Sequence, residues 1–240
     1  MSTGVLLYCF DTPEFNYHKL AERCVAQIKH YLKLEITIVT NLETFKNFQP
    51  MGMINYVLVD NSTTNTRAYR GKNVAWYNKE RAMAYEHSPY DTTILMDCDY
   101  FVFSSTLLEL VNTKFDMLLH DKVHDLSGKD MIEASNESTL PLVWATVTLF
   151  RKTANAKMIF DMIKHVQEFY PHYRNLYRIM YSAYRNDFAF AIALHQLNLG
   201  NRIPTAMCML ADTVDVLDSD NDGLIFKCGN NVNFTSGQDV

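Results

Sequence analysis

Unbroken apolar runs alternate with helically spaced ones along the first half of the chain. Val5-Leu6-Leu7-Tyr8-Cys9-Phe10 is apolar throughout, the pattern of a strand covered on both faces. Asp11-Thr12-Pro13 ends it, and Leu20, Cys24, Ile28 and Tyr31 then recur at helical spacing, which predicts a helix from Asn16 to Leu32. Ile36 to Thr40 reads as a second strand closed by Asn41. Strand, helix and strand in that order make a βαβ unit, so a parallel pair with a right-handed crossover is expected. Asn55 to Val59 reads as a third strand, 61–72 as a polar surface loop, and Trp76 to His87 as a helix with Arg81 and Tyr85 one turn apart. Thr92-Thr93-Ile94-Leu95-Met96 is another buried strand, running straight into Asp97-Cys98-Asp99. Ser105 is a suitable cap for a helix reaching Val111.

The second half continues the pattern. Phe115 to His120 and Val143 to Phe150 read as strands joined by the polar segment 121–139. Helical spacing covers Thr153 to Tyr170 and Tyr173 to Leu197, broken at Pro171, and strand character returns at Thr205 to Leu210 and Leu224 to Lys227. With no internal repeat and no Gly/Ser linker, the expectation is one α/β domain over 1–240, its central mixed, mostly parallel sheet flanked by helices.

Composition narrows the class. The 240 residues are 48% hydrophobic and 20% charged with only 8 Gly and 6 Pro, which excludes collagen, low-complexity scaffolds and disordered tails. Five scattered cysteines without a CxxC argue against a disulfide framework or a zinc ribbon. The start lacks a basic, signal-like segment and no apolar run approaches a membrane span, so a cytoplasmic protein without membrane attachment is expected. The sequons at Asn61, Asn136 and Asn233 are then idle. The net charge of −5 is uneven: Arg151 to Arg185 holds seven basic residues against two acids, whereas Asp212 to Asp222 has five Asp and no base.

Asp97 and Asp99 carry the sharpest chemical signal. Alternation along a strand would put both on one face at a strand's C-terminal end, where open α/β sheets bind ligands. Two such carboxylates repel unless a cation lies between them, and hard oxygen donors suit Mn²⁺ or Mg²⁺. The whole stretch Ser88 to Val102 resembles the strand and DxD motif of glycosyltransferases with the GT-A fold. Three other stretches resemble that family in order. They are Cys9-Phe10-Asp11 with Tyr17, Trp144 to Phe150, and Arg185-Asn186-Asp187-Phe188-Ala189-Phe190.

That resemblance implies transfer of a sugar from a nucleotide-diphosphate donor, most simply a UDP-sugar, to an acceptor hydroxyl. It implies a donor-binding half over 1–112 and an acceptor-side half over 113–240. Asp97 and Asp99 would hold the metal and the donor ribose. Phe10, Asp11, Tyr17, Thr40 and Asn41 would surround the nucleotide, Asn78 and Arg81 the donor phosphates or sugar, and Trp144 and Thr146 the donor sugar. Asp187 would be the acceptor-side carboxylate, although a first-turn acid of its helix reads equally well. A late His that many members use as a third ligand is missing from Leu224 to Asn230. Lys227 supplying charge at the diphosphate, another late residue ligating, or a weaker metal site all remain open.

Tyr170, Tyr173, Tyr177, Tyr181 and Tyr184 would form one stripe of a helix, flanked by Arg174, Arg178 and Arg185. Either the rings pack inward, or Tyr177, Arg174, Arg178 and Asn186 form an acceptor surface for nucleic acid. The Met-, Asn- and Tyr-rich composition resembles phage-encoded members, which implies a hydroxymethylated DNA base, or else a glycan, as acceptor and the host cytoplasm as location. Two further readings compete: a HAD-type phosphohydrolase using the Asp97/Asp99 pair, and a non-catalytic nucleic-acid-binding module using the Tyr/Arg helix. Asp218 to Gly223 matches half of an EF-hand loop, but Gly229 replaces the bidentate Glu, so an acidic turn is expected. His120 and His124 would be one turn apart on a helix, yet a solvated loop reads better than a metal pair.

Overall fold

Each buried strand is apolar on both faces because helices cover the sheet on both sides. A computed structural model describes residues 1–60, 65–69, 72–122, 140, 142–181, 183–198, 206–207, 214–219, 223–228 and 231–236. The chain begins with strand β1 (Thr3–Tyr8), helix α1 (Tyr17–Tyr31), β2 (Glu35–Thr40), α2 (Leu42–Phe45) and β3 (Asn55–Leu58). A hairpin of β4 (Asn65–Tyr69) and β5 (Lys72–Trp76) leads to a 3-10 turn (Lys79–Met83), α3 (Ala84–His87) and β6 (Thr92–Asp97). Next come α4 (Thr106–Val111), β7 (Met117–Lys122), β8 (Trp144–Arg151), α5 (Ala154–Glu168), α6 (Tyr170–Leu176) and α7 (Asn186–Gln196). Strands β9 (Ala206–Met207), β10 (Val214–Ser219), β11 (Gly223–Cys228) and β12 (Asn231–Ser236) follow.

Among the described residues the main sheet has seven strands in the order β3-β2-β1-β6-β8-β7-β9. Strands β3, β2, β1 and β6 run parallel, and β8 is antiparallel to both β6 and β7. The expected mixed, mostly parallel sheet is therefore present. Strands β10, β11 and β12 form a separate antiparallel sheet.

Side-chain alternation divides the core in two. Val5, Leu7, Ile36, Ile38, Ile94 and Met96 pack against Ala21, Cys24, Val25 and Ile28 of α1. Leu6, Tyr8, Val39 and Leu95 join the other layer, with Ile159, Phe160, Ile163 and Val166 of α5 and Phe188 to Leu194 of α7. Helix α7 is buried over seven consecutive residues, which explains why its apolar pattern has no clean face.

Three expectations need correction. The segment read as a loop over 61–72 contains β4 and begins β5, a hairpin whose polar sequence carries no alternation to reveal it. The helix expected over Trp76 to His87 is the end of β5 followed by the 3-10 turn and the short α3. The continuous helix expected from Tyr173 to Leu197 stops at Leu176 and restarts at Asn186.

The stop is a left-handed turn made without glycine. Arg178 has φ +52°, and the Ile179 N–H reaches back to the Arg174 carbonyl at 2.9 Å, the six-residue closure of a Schellman ending. The tyrosine stripe consequently does not exist. Tyr170, Tyr173 and Tyr184 are buried, and Tyr181 belongs to the irregular link. His120 is a buried residue of β7, not part of a helix or of the expected solvated loop. His124 lies outside the described residues, as do Asn61, Asn136 and 220–222 of the EF-hand-like stretch.

Two stability effects follow. A Cβ at Gly4 would land in the ring of Tyr90, which is itself buried and holds Thr37 Oγ1 through its hydroxyl at 2.8 Å. The ring cannot withdraw, so Gly4→Ala should cost about 1–3 kcal/mol, read as a lower midpoint in urea unfolding. Arg178→Gly should stabilise by about 0.5–1 kcal/mol, read as a higher midpoint, since glycine reaches φ +52° without strain; no gain would remove strain from the account of this turn.

Candidate active site

Strand β1 feeds β2 on one side and pairs with β6 on the other, and a crevice opens above such a switch point at the strands' C-terminal ends. Here that crevice encloses about 270 Å³. Tyr8 and Asp97, neighbours in the β1–β6 register, lie on its floor. Phe10, Tyr17, Trp76, Tyr77 and Trp144 give it aromatic walls.

Strand β6 ends at Asp97, and the Tyr100 N–H closes a turn onto the Asp97 carbonyl at 3.1 Å. Asp99 thus sits on a turn, exposed, instead of sharing a strand face with Asp97. Both nevertheless line the cleft. Arg81, on the 3-10 turn, is 5% exposed and donates through Nη1 to Asp97 Oδ1. Its Nη2 donates to the carbonyls of Ala145 and Thr146 on β8.

The Ala145 N–H donates to Asp187 Oδ1 at 2.8 Å, and Asp187 Oδ2 accepts from Arg185 Nε and Nη2 at 3.1 and 2.7 Å. One residue of β8, Ala145, therefore joins two ion pairs into a chain, accepting from Arg81 through its C=O and donating to Asp187 through its N–H: Asp97, Arg81, Ala145, Asp187, Arg185. The Arg185 guanidinium stands 5.5 Å from the ring centres of both Trp144 and Tyr181 and 5.8 Å from that of Phe188.

Asn78 fastens the hairpin and the link before α7 to the same wall. Its Nδ2 donates to the Tyr184 carbonyl at 3.0 Å, its Oδ1 accepts from Asn65, and its carbonyl accepts from Asn186 Nδ2 at 3.1 Å. Burial holds the Tyr184 hydroxyl far above the ordinary tyrosine range. Although 42% of the Asp97 side chain is reachable from the cleft, the protein packed behind it pushes its pKa up to about 7. Arg81 opposes that rise, and Asp99 and Asp187 reinforce it.

The cleft collects Phe10, Tyr17, Asn78, Arg81, Asp97, Asp99, Trp144, Thr146, Asn186 and Asp187. Asp11 is not in its lining. The Asp11 carboxylate accepts from the His18 N–H, the His18 ring and Asn47, which fixes the start of α1. Thr40 is fully buried at the end of β2, and Asn41 caps α2 through the Thr44 N–H. Arg174 holds the Ile179 carbonyl, Tyr177 is hydrogen-bonded to His195 and Gln196, and Arg178 forms the turn; none of the three lines the cleft. Lys227 is on β11, its side chain outside the described residues. Tyr8, Trp76, Tyr77 and Arg185 line the site without having been singled out for it. For Arg185 the available signal was an arginine two residues before a helix-opening aspartate.

A divalent cation fits the donor set at the β6 end. Among the described residues no three His, Cys, Asp or Glu side chains converge. Mg²⁺-type ions, however, commonly take only one or two carboxylates and complete their shell with water and phosphate oxygens. Asp97 and Asp99 offer that number.

No protein-family model matches the chain, and no curated protein does. Its architecture has relatives among solved structures. An active-site variant of LgtC aligns with a TM-score of 0.53 at 16% identity, over 80% of this chain and 69% of that one. Galactosyltransferase LgtC with donor and acceptor sugar analogues aligns at 0.51 and 15% identity, over 80% and 70%. The apo glycosyltransferase GlyE of Streptococcus pneumoniae gives 0.51 at 11% identity, over 86% of this chain and 45% of GlyE. At such identities the likeness is one of architecture, and in architecture the chain has the α/β fold of the GT-A glycosyltransferases.

Proposed function

We propose that the protein transfers a sugar from a nucleotide-diphosphate donor, a UDP-sugar in the simplest case, to an acceptor hydroxyl. One observation carries the reading: in this fold, Asp97, Asp99 and Arg81 meet in the crevice at the β1–β6 switch point. In LgtC the same architecture accompanies bound donor and acceptor sugar analogues.

Asp97 and Asp99 would hold Mn²⁺ or Mg²⁺, which when bound offsets the charge that builds on the leaving diphosphate. Arg81 fixes the rotamer of Asp97 and cannot itself swing to the donor, because its other amino group is spent on β8 carbonyls. Phe10 and Tyr17 offer apolar faces for a base, and Trp144 offers one for a sugar. Asp187 has both oxygens engaged and serves to position the β8 edge and Arg185. Asn186 brings an amide to the same wall. With the tyrosine stripe dispersed, the acceptor is better read as a glycan or small-molecule hydroxyl than as DNA. Among the described residues no helix is long and apolar enough to cross a membrane.

Asp99→Ala should keep its thermal midpoint within about 2 °C of the parent, because the side chain is exposed. It should lose Mn²⁺-dependent stabilisation by UDP, which at 100 times the dissociation constant amounts to about 2.7 kcal/mol. Full retention of that stabilisation would remove the cation from Asp99. Arg81→Met should destabilise by about 1–3 kcal/mol. That is less than the roughly 3–5 of a fully buried broken pair, because Asp97 stays partly open to water. Unfolding in guanidinium measures it, and an unchanged midpoint would contradict the bracing role.

A further inference from the structure

We infer that Arg185 is a specificity-determining residue for an acidic acceptor, one carrying a carboxylate or phosphate beside the hydroxyl that receives the sugar. This rests on the reading above and adds the class of its acceptor. The two cleft arginines differ in what they leave available. Arg81 is 5% exposed, and its Nη1 and Nη2 donate to Asp97 and two carbonyls while its Nε is buried away from the cleft's solvent. The Arg185 side chain keeps 24% of its surface, lines the cleft, and commits Nε and Nη2 to a single oxygen of Asp187. Its Nη1 has no hydrogen-bond partner among the described residues.

The guanidinium is also walled. Trp144, Tyr181 and Phe188 stand around it, and the Ala145 N–H on the second oxygen of Asp187 keeps that carboxylate from turning. Asp187 therefore anchors one edge of the fork, three rings stand around it, and among the described residues no hydrogen bond occupies Nη1. A fixed guanidinium edge selects oxyanions, above all planar carboxylates and phosphates that accept two parallel hydrogen bonds.

The anion belongs to the acceptor by position. A donor diphosphate held at Asp97 and Asp99 lies at the end of β6, and β8 is the next strand over. Arg185 stands beyond residue Ala145 of β8, just before α7, with Arg81 and Ala145 in between.

The test measures binding by calorimetry to the full chain, with and without UDP and Mn²⁺, using D-glucuronate, D-glucose 6-phosphate and D-glucose as minimal acceptors. At least one acidic sugar should bind tenfold or more tightly than glucose, a difference of about 1.4 kcal/mol, and the better of the two identifies carboxylate or phosphate. Arg185→Gln should cut that preference to twofold or less, and Arg185→Lys should restore part of it. Raising NaCl from about 50 to 500 mM should weaken the acidic sugar severalfold in the parent and leave glucose unchanged, which needs no variant to fold. Equal affinity for all three sugars, a preference indifferent to salt, or one that survives Arg185→Gln would overturn the inference. So would a tenfold loss of UDP affinity in Arg185→Gln with sugar preference intact, since the fork would then serve the diphosphate. Absence of UDP and Mn²⁺ binding in the parent would count against the transferase reading alone, because the sugar titrations without nucleotide still report on Arg185.

Discussion

A guanidinium that is 5% exposed has to find its hydrogen bonds inside the protein, and Arg81 finds them on two strands at once. Its partners, Asp97 on β6 and the carbonyls of Ala145 and Thr146 on β8, are adjacent across an antiparallel ladder that pairs Met96 with Val147. An error in that register would strand a buried cation, at a cost of several kcal/mol. The polar geometry of the cleft and the strand register of the sheet therefore enforce each other.

That coupling also explains how three acidic side chains can share one cleft. Asp97 and Asp187 each have an arginine, and each arginine is immobilised, by β8 carbonyls in one case and by three aromatic rings in the other. Asp99 stays on the exposed turn, where water limits the repulsion. The raised pKa of Asp97 comes first from burial, which Arg81 does not fully offset, and then from the neighbouring Asp99 and Asp187. Carboxylates kept close at some electrostatic cost are poised to gain from a cation, which is a general trait of ligand sites.

The fold was legible where one local pattern dominated. Unbroken runs at β1, β2 and β6 announced strands covered on both faces, and the spacing from Leu20 to Tyr31 announced α1. It was illegible where a stop carried no glycine or proline, as at Arg178, and where a hairpin opened within a polar stretch without alternation, as at β4. In the site, Asp97, Asp99, Trp144 and Asp187 were accessible because they sit at or just beyond element ends, and Arg81 because it precedes the strand that carries Asp97. The resemblance also drew in Asp11, Thr40 and Asn41, but Asp11 and Asn41 fix the starts of α1 and α2, and Thr40 is fully buried. No run of letters reveals that Asp187 spends both oxygens, because one partner, the Ala145 N–H, is backbone.

The antiparallel pairing of β6 with β8 bears on how the chain could be divided. Cutting near residue 112 leaves Arg81 and Asp97 on one piece and the carbonyls that complete the Arg81 shell on the other. The first piece would carry a newly exposed β6 edge six residues long, apolar from Ile94 to Met96, beside a cation stripped of two acceptors. Such a fragment is built to recapture β8 or to associate with its own kind. The two sides of that cut are in that sense halves of one lock, and neither side can be inherited, swapped or expressed without the strand that closes the other.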